Sequence, residues 1–186
     1  MEFEVLTTER LLLRKLTPEG IEYIFQNYSE EEAKRQLGLT TRNEFIKERE
    51  KSKGGYTTYD RSILQFKLIL KETQEVIGSC GFHNWYFAHC KAELGYAISK
   101  EEHKKKGYMS EAVDEVIEYG FESMNLNRIE ACVGPDNIAS LSLMKKFGFV
   151  KEGYLRQHYM SDGDIYDSVI FALLKEEYRG KRKSNP

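Results

Sequence analysis

From residue 110 to residue 124, Ala112, Val113, Val116, Ile117, Gly120, Phe121 and Met124, with Met109 just ahead, fall on one continuous apolar stripe at helical spacing. A strand-like run precedes it at residues 92–98 (AELGYAI), and another follows at residues 128–133 (RIEACV). A helix with such a stripe must bury it, and the flanking strands supply the sheet on which it can lie. The unit points to an α/β chain with a helical crossover.

The other segments extend this pattern. Residues 10–16 (RLLLRKL) read as a strand. Thr17-Pro18 then supplies an N-cap and a proline at the first helical position, and Ile21, Ile24, Phe25 and Tyr28 follow at helical spacing. Ser29 with Glu32 forms a capping box for a second helix. Residues 37–60 are polar and weakly patterned, with Phe45 and Ile46 anchoring one more helix that Gly54-Gly55 ends. Residues 62–70 and 76–85 read as an antiparallel hairpin about the turn Glu72-Thr73-Gln74-Glu75. Pro135-Asp136-Asn137 opens a helix carrying Leu141, Met144 and Phe147, with Gly148 as its stop. Residues 154–160 and 165–174 form a last hairpin, and residues 179–186 are a basic, frayed tail. The resulting order is β-α-α-β-β-β-α-β-α-β-β, a mixed sheet covered by helices. One domain is expected over residues 1–178, with a flexible tail over residues 179–186.

Composition excludes several classes. With 186 residues, 40% hydrophobic and 31% charged, the chain can bury a core and is not a disordered segment. A net charge of -2 gives no general affinity for nucleic acid. Cys80, Cys90 and Cys132 are odd in number and widely spaced, which fits a reducing compartment. Met1-Glu2-Phe3-Glu4 is acidic where a secretory leader is basic, and no apolar run has membrane-spanning length. A cytoplasmic protein without membrane attachment is expected, as monomer or homodimer. Cys80, His83, His89 and Cys90 have no standard zinc spacing, and strand alternation sends Cys80 and His83 to opposite faces, so no metal is expected.

The functional signal lies in His103-Lys104-Lys105-Lys106-Gly107-Tyr108-Met109-Ser110-Glu111, between a strand and the strongest helix. The first-turn N–H groups of a helix have no partners within it, and the helix dipole favours an anion there. A basic, glycine-bearing turn at that place is suited to a pyrophosphate. It is not a Walker loop, because the first glycine of that pattern is missing.

The strand AELGYAI, the turn KKKGYMSEA and the segment NIASLSLMKKFGFVKEG, in this order and spacing, resemble the GCN5-related N-acetyltransferases. The opening TTERLLLRKLTPE is similar to the subgroup of bacterial ribosomal-protein N-terminal acetyltransferases of the RimJ/RimL type. The resemblance covers about residues 6–174 and implies an acetyl-CoA-dependent N-acetyltransferase with a primary amine as acceptor, either a protein N-terminus or a small amine. It places the pyrophosphate loop at Lys104, Lys105, Lys106, Gly107, Tyr108 and Met109, with Ser110 set to cap the helix or meet a phosphate oxygen. Met109 stands where the family has Gly or Ala. Tyr96, Ala97 and Ile98 fall on the strand that pairs with the pantetheine arm, and Asn137 and Ser140 match the family's Asn-x-x-Ser.

Acetyl transfer to an amine requires a proton acceptor, a donor to the developing oxyanion and an acid for the leaving thiolate. An alkyl ammonium of pKa near 10 is only about 0.1% neutral at pH 7, so deprotonation is a substantial part of the task. Glu93, charged and set in a central strand, is the expected base; the match to the family implies the same role, acting through a water. Met144 occupies the position where many relatives carry a tyrosine as the acid; the resemblance to the RimL-like pattern implies Ser140 as the substitute, with Tyr154 and Tyr159 as further, unranked hydroxyls. No cysteine matches a nucleophile position, so direct attack in a ternary complex is expected. The alternative is a catalytically weak acetyl-CoA sensor or partner-binding module on the same scaffold.

Overall fold

A computed structural model describes residues 2–57 and 61–184. The strands are β1 (Val5–Thr7), β2 (Leu11–Leu16), β3 (Arg61–Leu70), β4 (Val76–Tyr86), β5 (Lys91–Ile98), β6 (Arg128–Val133), β7 (Val150–Ser161) and β8 (Asp164–Leu174). The helices are α1 (Pro18–Asn27), α2 (Glu30–Leu37) and α3 (Arg42–Gly54) between β2 and β3, α4 (Tyr108–Glu122), α5 (Ile138–Phe147) and α6 (Lys175–Ser184).

The strands join in one mixed sheet of order β1-β2-β3-β4-β5-β6-β8-β7. Every neighbouring pair is antiparallel except β5 with β6. That parallel pair follows from the α4 crossover, because strands joined through a helix on one face run the same way.

Local chemistry explains the helix ends. Thr17 accepts from Gly20 N to start α1, and Ser29/Glu32 closes a full capping box on α2. Thr41 with Glu44 makes a second capping box on α3, supporting a helix whose apolar pattern is weak. The α4 stripe is the centre of the main core: Ala112, Val113, Val116, Ile117 and Phe121 are fully buried, against Leu11, Leu13, Phe66, Leu68 and Phe82. Alternation along β2 turns Leu16 to the other face, where it meets Ile21, Ile24, Ala33, Leu37 and Phe45 of α1–α3.

Gly120 lets α4 approach β4 closely, since a Cβ there would lie 2.6 Å from Phe82 Cζ. Gly120→Ala is expected to lower stability by about 1–3 kcal/mol, because Phe82 has no free space to move into. A chemical denaturation midpoint equal to that of the parent would contradict this close packing.

The order expected from periodicity lacks β1, one of the three helices between β2 and β3, and α6. A strand of three residues carries no period to detect. The tail expected from residue 179 is helical through Ser184, while residues 185–186 lie outside the described residues. Its anchor is tertiary: Tyr178 packs on Phe121 with ring centroids 5.0 Å apart, and Arg179 pairs with Glu122 at 3.1 Å. No helix among the described residues is long and apolar enough to cross a membrane.

Candidate active site

The parallel pair β5–β6 holds over only three register positions, Lys91↔Arg128, Ala92↔Ile129 and Glu93↔Glu130. β4 continues to pair with β5 as far as Ile98, and β8 pairs with β6 as far as Val133. The two strands therefore part beyond Glu93 and Glu130, and each turns an unpaired backbone edge into a cleft. One cavity of about 460 Å³ is lined by Tyr96, Ala97 and Ile98 of β5, the loop before α4, and Asn137 and Ser140 of α5. A second, of about 470 Å³, is lined by His83, Glu93, Gly95, Cys132, His158 and Tyr159 among others. Tyr96, Asn137 and Ser140 line both cavities, so the two meet at these residues.

The first cavity ends at the basic turn. Gly107 has φ of +84° and is the N-cap of α4, a left-handed conformation that glycine adopts without strain. Helix α4 thus starts at Tyr108, two residues earlier than periodicity places it. Ser110 is not its cap; its Oγ accepts from Lys146 Nζ and ties α4 to α5. Met109 is the second helical residue, half-buried against the main core. Met109 also lines the first cavity.

Sequence reading misses the buttress of this loop. Arg10 Nη1 donates to Lys106 O at 3.0 Å, its Nε meets Glu111 Oε2 at 2.8 Å, and its guanidinium lies 4.6 Å from the Tyr108 ring centre. Glu111 also accepts from the Arg10 N–H and from Thr8 Oγ1. Burial alone would raise the Glu111 pKa, but these bonds hold it below the ordinary carboxylate value. Lys104 and Lys105 line the cavity, whereas Lys106 serves through its carbonyl.

At the junction, Asn137 caps α5 by accepting from Ser140 N at 3.0 Å. Its amide donors remain for a ligand. Tyr96 Oη is buried with no hydrogen-bond partner. Burial pushes its pKa up, against a weaker pull from the neighbouring Ser140, so it stays a protonated donor at neutral pH. Together, an orphaned hydroxyl, a free strand edge and unpaired helix amides fit an amide-rich, pyrophosphate-bearing thioester.

Glu93 sits on the other side of the junction. His83 Nε2 lies 3.2 Å from its Oε1, and Asn84 Nδ2 donates to its Oε2 at 2.9 Å. The bond from His83 is the chief cause holding its pKa down to about 2; burial opposes it, and bonds from Asn84 and Cys132 add to the lowering. A carboxylate so acidic is a weak proton acceptor at neutral pH. These bonds hold Glu93 as an ionised hydrogen-bond acceptor beside His83. Burial, then the charge of Glu93, pushes the Cys132 thiol up to about 12, which favours the protonated thiol at neutral pH.

The far wall comes from the last hairpin. His158 Nδ1 lies 2.9 Å from Oγ of the buried Ser168, and Tyr159 stacks on Tyr166 at 5.2 Å. Tyr154 instead bonds Asp167 and is not among the cavity-lining residues. Cys80 is buried in the core and Cys90 exposed, so the zinc-like residues do not gather.

The model of the acetyltransferase (GNAT) domain matches residues 10–150. The uncharacterized N-acetyltransferase p20 of Bacillus licheniformis is 39% identical over 95% of this chain and 99% of its own length. The [ribosomal protein uS5]-alanine N-acetyltransferase of Escherichia coli K12 is 33% identical over 63% of this chain and 60% of its own length. Among solved structures, a GNAT-family acetyltransferase from Bacillus anthracis superposes with a TM-score of 0.65 at 28% identity, over 94% of this chain and 100% of that one. With most of the chain covered and a cleft where β5 and β6 part, this protein belongs to the GNAT family of acetyltransferases.

Proposed function

We propose that this N-acetyltransferase moves the acetyl group of acetyl-CoA directly to a primary amine, and that the amine is a protein N-terminus. The observation that carries the reading is the meeting of two cavities at Tyr96, Asn137 and Ser140, one ending at helix amides and the other beside Glu93. Acetyl-CoA supplies the activated acyl carbon and a thiolate leaving group. The N–H groups at the start of α4, with Lys104 and Lys105, hold its pyrophosphate. The free edge at Tyr96, Ala97 and Ile98 pairs with the pantetheine amides, as a strand edge pairs with an extended ligand. Asn137 adds a side-chain contact there. Ser140, with the Tyr96 hydroxyl beside it, donates toward the sulfur, the role that Met144 cannot fill. The acceptor enters by the second cavity, past His158 and Tyr159. The protein acceptor is supported by the similarity to the uS5-alanine enzyme.

Thiol release from acetyl-CoA, measured with an alanine-initiated peptide and with spermidine, tests this function. Faster release with the peptide, with mass spectrometry placing the acetyl group on its α-amine, supports the reading. Preference for spermidine moves the acceptor to small amines. Tight acetyl-CoA binding without turnover on either amine favours the sensor reading.

Direct transfer makes a further prediction. Cys132→Ala is expected to reduce turnover by less than about tenfold, the loss of one hydrogen bond to Glu93. Abolished turnover, or an acetylated Cys132 trapped by mass spectrometry, would establish an acyl-enzyme instead.

A further inference from the structure

Resting on the acetyltransferase reading, we infer that His83 is the base that takes the proton from the attacking amine, with Glu93 as its positioning residue. His83 lies on β4 opposite Glu93 in the β4–β5 register, just before the irregularity that separates His83 from Tyr86. Its Nε2 lies 3.2 Å from Glu93 Oε1. The other edge of the ring lies over Gly95: a Cβ on Gly95 would approach both Nδ1 and Cε1 to 2.8 Å. Glycine therefore makes the room in which the ring lies. Both side chains line the cavity, and the imidazole is the more exposed, 44% against 20% for Glu93.

Charge and tautomer follow from these contacts. An ionised Glu93 accepts only, so it selects the tautomer with the proton on Nε2 and leaves the Nδ1 lone pair free. The ionisable groups that share the cavity with His83 are Glu93 and Tyr96 on β5, Cys132 on β6, and His158 and Tyr159 on β7, with Arg61 bonded to Asn84 at 3.3 Å. Cys132 is a protonated thiol and Glu93 already holds two other donors, so neither competes for the amine proton. In the transfer, the amine nitrogen bonds to the acetyl carbon, the C–S bond breaks, and coenzyme A leaves as thiolate. The proton from nitrogen goes to His83 Nδ1, and the imidazolium gains its counter-charge from Glu93. The thiolate takes its proton from the Ser140–Tyr96 side, and solvent restores both groups.

The test uses His83→Gln and His83→Ala in the full chain, with acetyl-CoA and either the alanine-initiated peptide or spermidine. His83→Gln is expected to lower kcat about 100-fold or more, to leave the calorimetric affinity for acetyl-CoA within twofold, and to remove the acidic limb of the kcat/KM profile. Added imidazole is expected to restore part of the turnover of His83→Ala, an effect that a packing role would not produce. Nitrogen NMR of the ligand-free protein is expected to show His83 as the Nε2–H tautomer. Intact turnover and pH profile in His83→Gln, or an Nδ1–H tautomer, overturns the assignment while leaving the acetyltransferase reading in place. Absence of thiol release by the parent protein with either amine overturns that reading first, and this inference with it.

Discussion

Gly107→Pro is expected to weaken acetyl-CoA binding at least tenfold while leaving the fold intact. Proline fixes φ near −65°, whereas Gly107 has φ of +84°, so the substituted residue must reverse the turn. The turn carries the N-cap of α4, and its reversal redirects the N–H groups of Tyr108, Met109 and Ser110. Gly107→Ala gives the graded control. A left-handed alanine costs roughly 1–2 kcal/mol, which corresponds to about a 5- to 30-fold loss if the loop relaxes when empty and is forced back on binding. Its Cβ would also stand 3.3 Å from Arg10 Nη2, pressing on the guanidinium that braces Lys106 O. Calorimetric titration with acetyl-CoA reads both variants. Undiminished affinity in the proline variant would remove the phosphate-loop assignment.

Glu93→Gln is expected to lower turnover by about 100-fold with acetyl-CoA affinity nearly unchanged. Glutamine is close in shape, but it removes the charge that accepts from His83, Asn84 and Cys132 together. The same change has a pH signature in stability. A carboxyl lowered from 4.5 to about 2 in the folded chain favours folding above its unfolded value, and that contribution disappears as pH falls through about 2. The parent should therefore lose stability between about pH 4.5 and 2, and Glu93→Gln should lose less over that interval. Denaturation midpoints measured at several acidic pH values decide it: equal slopes for the two proteins would mean that Glu93 is not held by these bonds.

The elements on which these predictions stand were unequally visible in the sequence. Helix α4 is legible because its stripe is long and uninterrupted, and the α1 and α2 starts because their caps are local. The strand order about β5 and β6 is a consequence of crossovers and hairpins that periodicity reveals. Residues 96–98, 104–105, 107–110, 137 and 140 come together in one cavity, as the family motifs lead one to expect. What escapes is whatever depends on distant chain segments. Arg10 reaches Lys106 and Glu111 only because β2 lies beside the start of α4. The His83–Gly95 contact depends on strand register, and His158 enters from the last hairpin, far along the chain from β4 and β5. The donors around Glu93 are hidden in the same way, since His83 and Asn84 come from β4 and Cys132 from β6.

Strand β7 has a bearing on how such an enzyme changes over generations. No residue from Val150 to Ser161 is buried, although the strand supplies His158 and Tyr159 to the outer cavity. Substitutions there disturb little packing, and exposed changes of this kind usually alter stability by no more than about 0.5 kcal/mol. This side of the outer cavity can therefore drift freely, while the side formed by Glu93, Leu94 and Gly95 belongs to a strand anchored in the main core. A lineage can try new acceptors on this hairpin without endangering its hold on the donor.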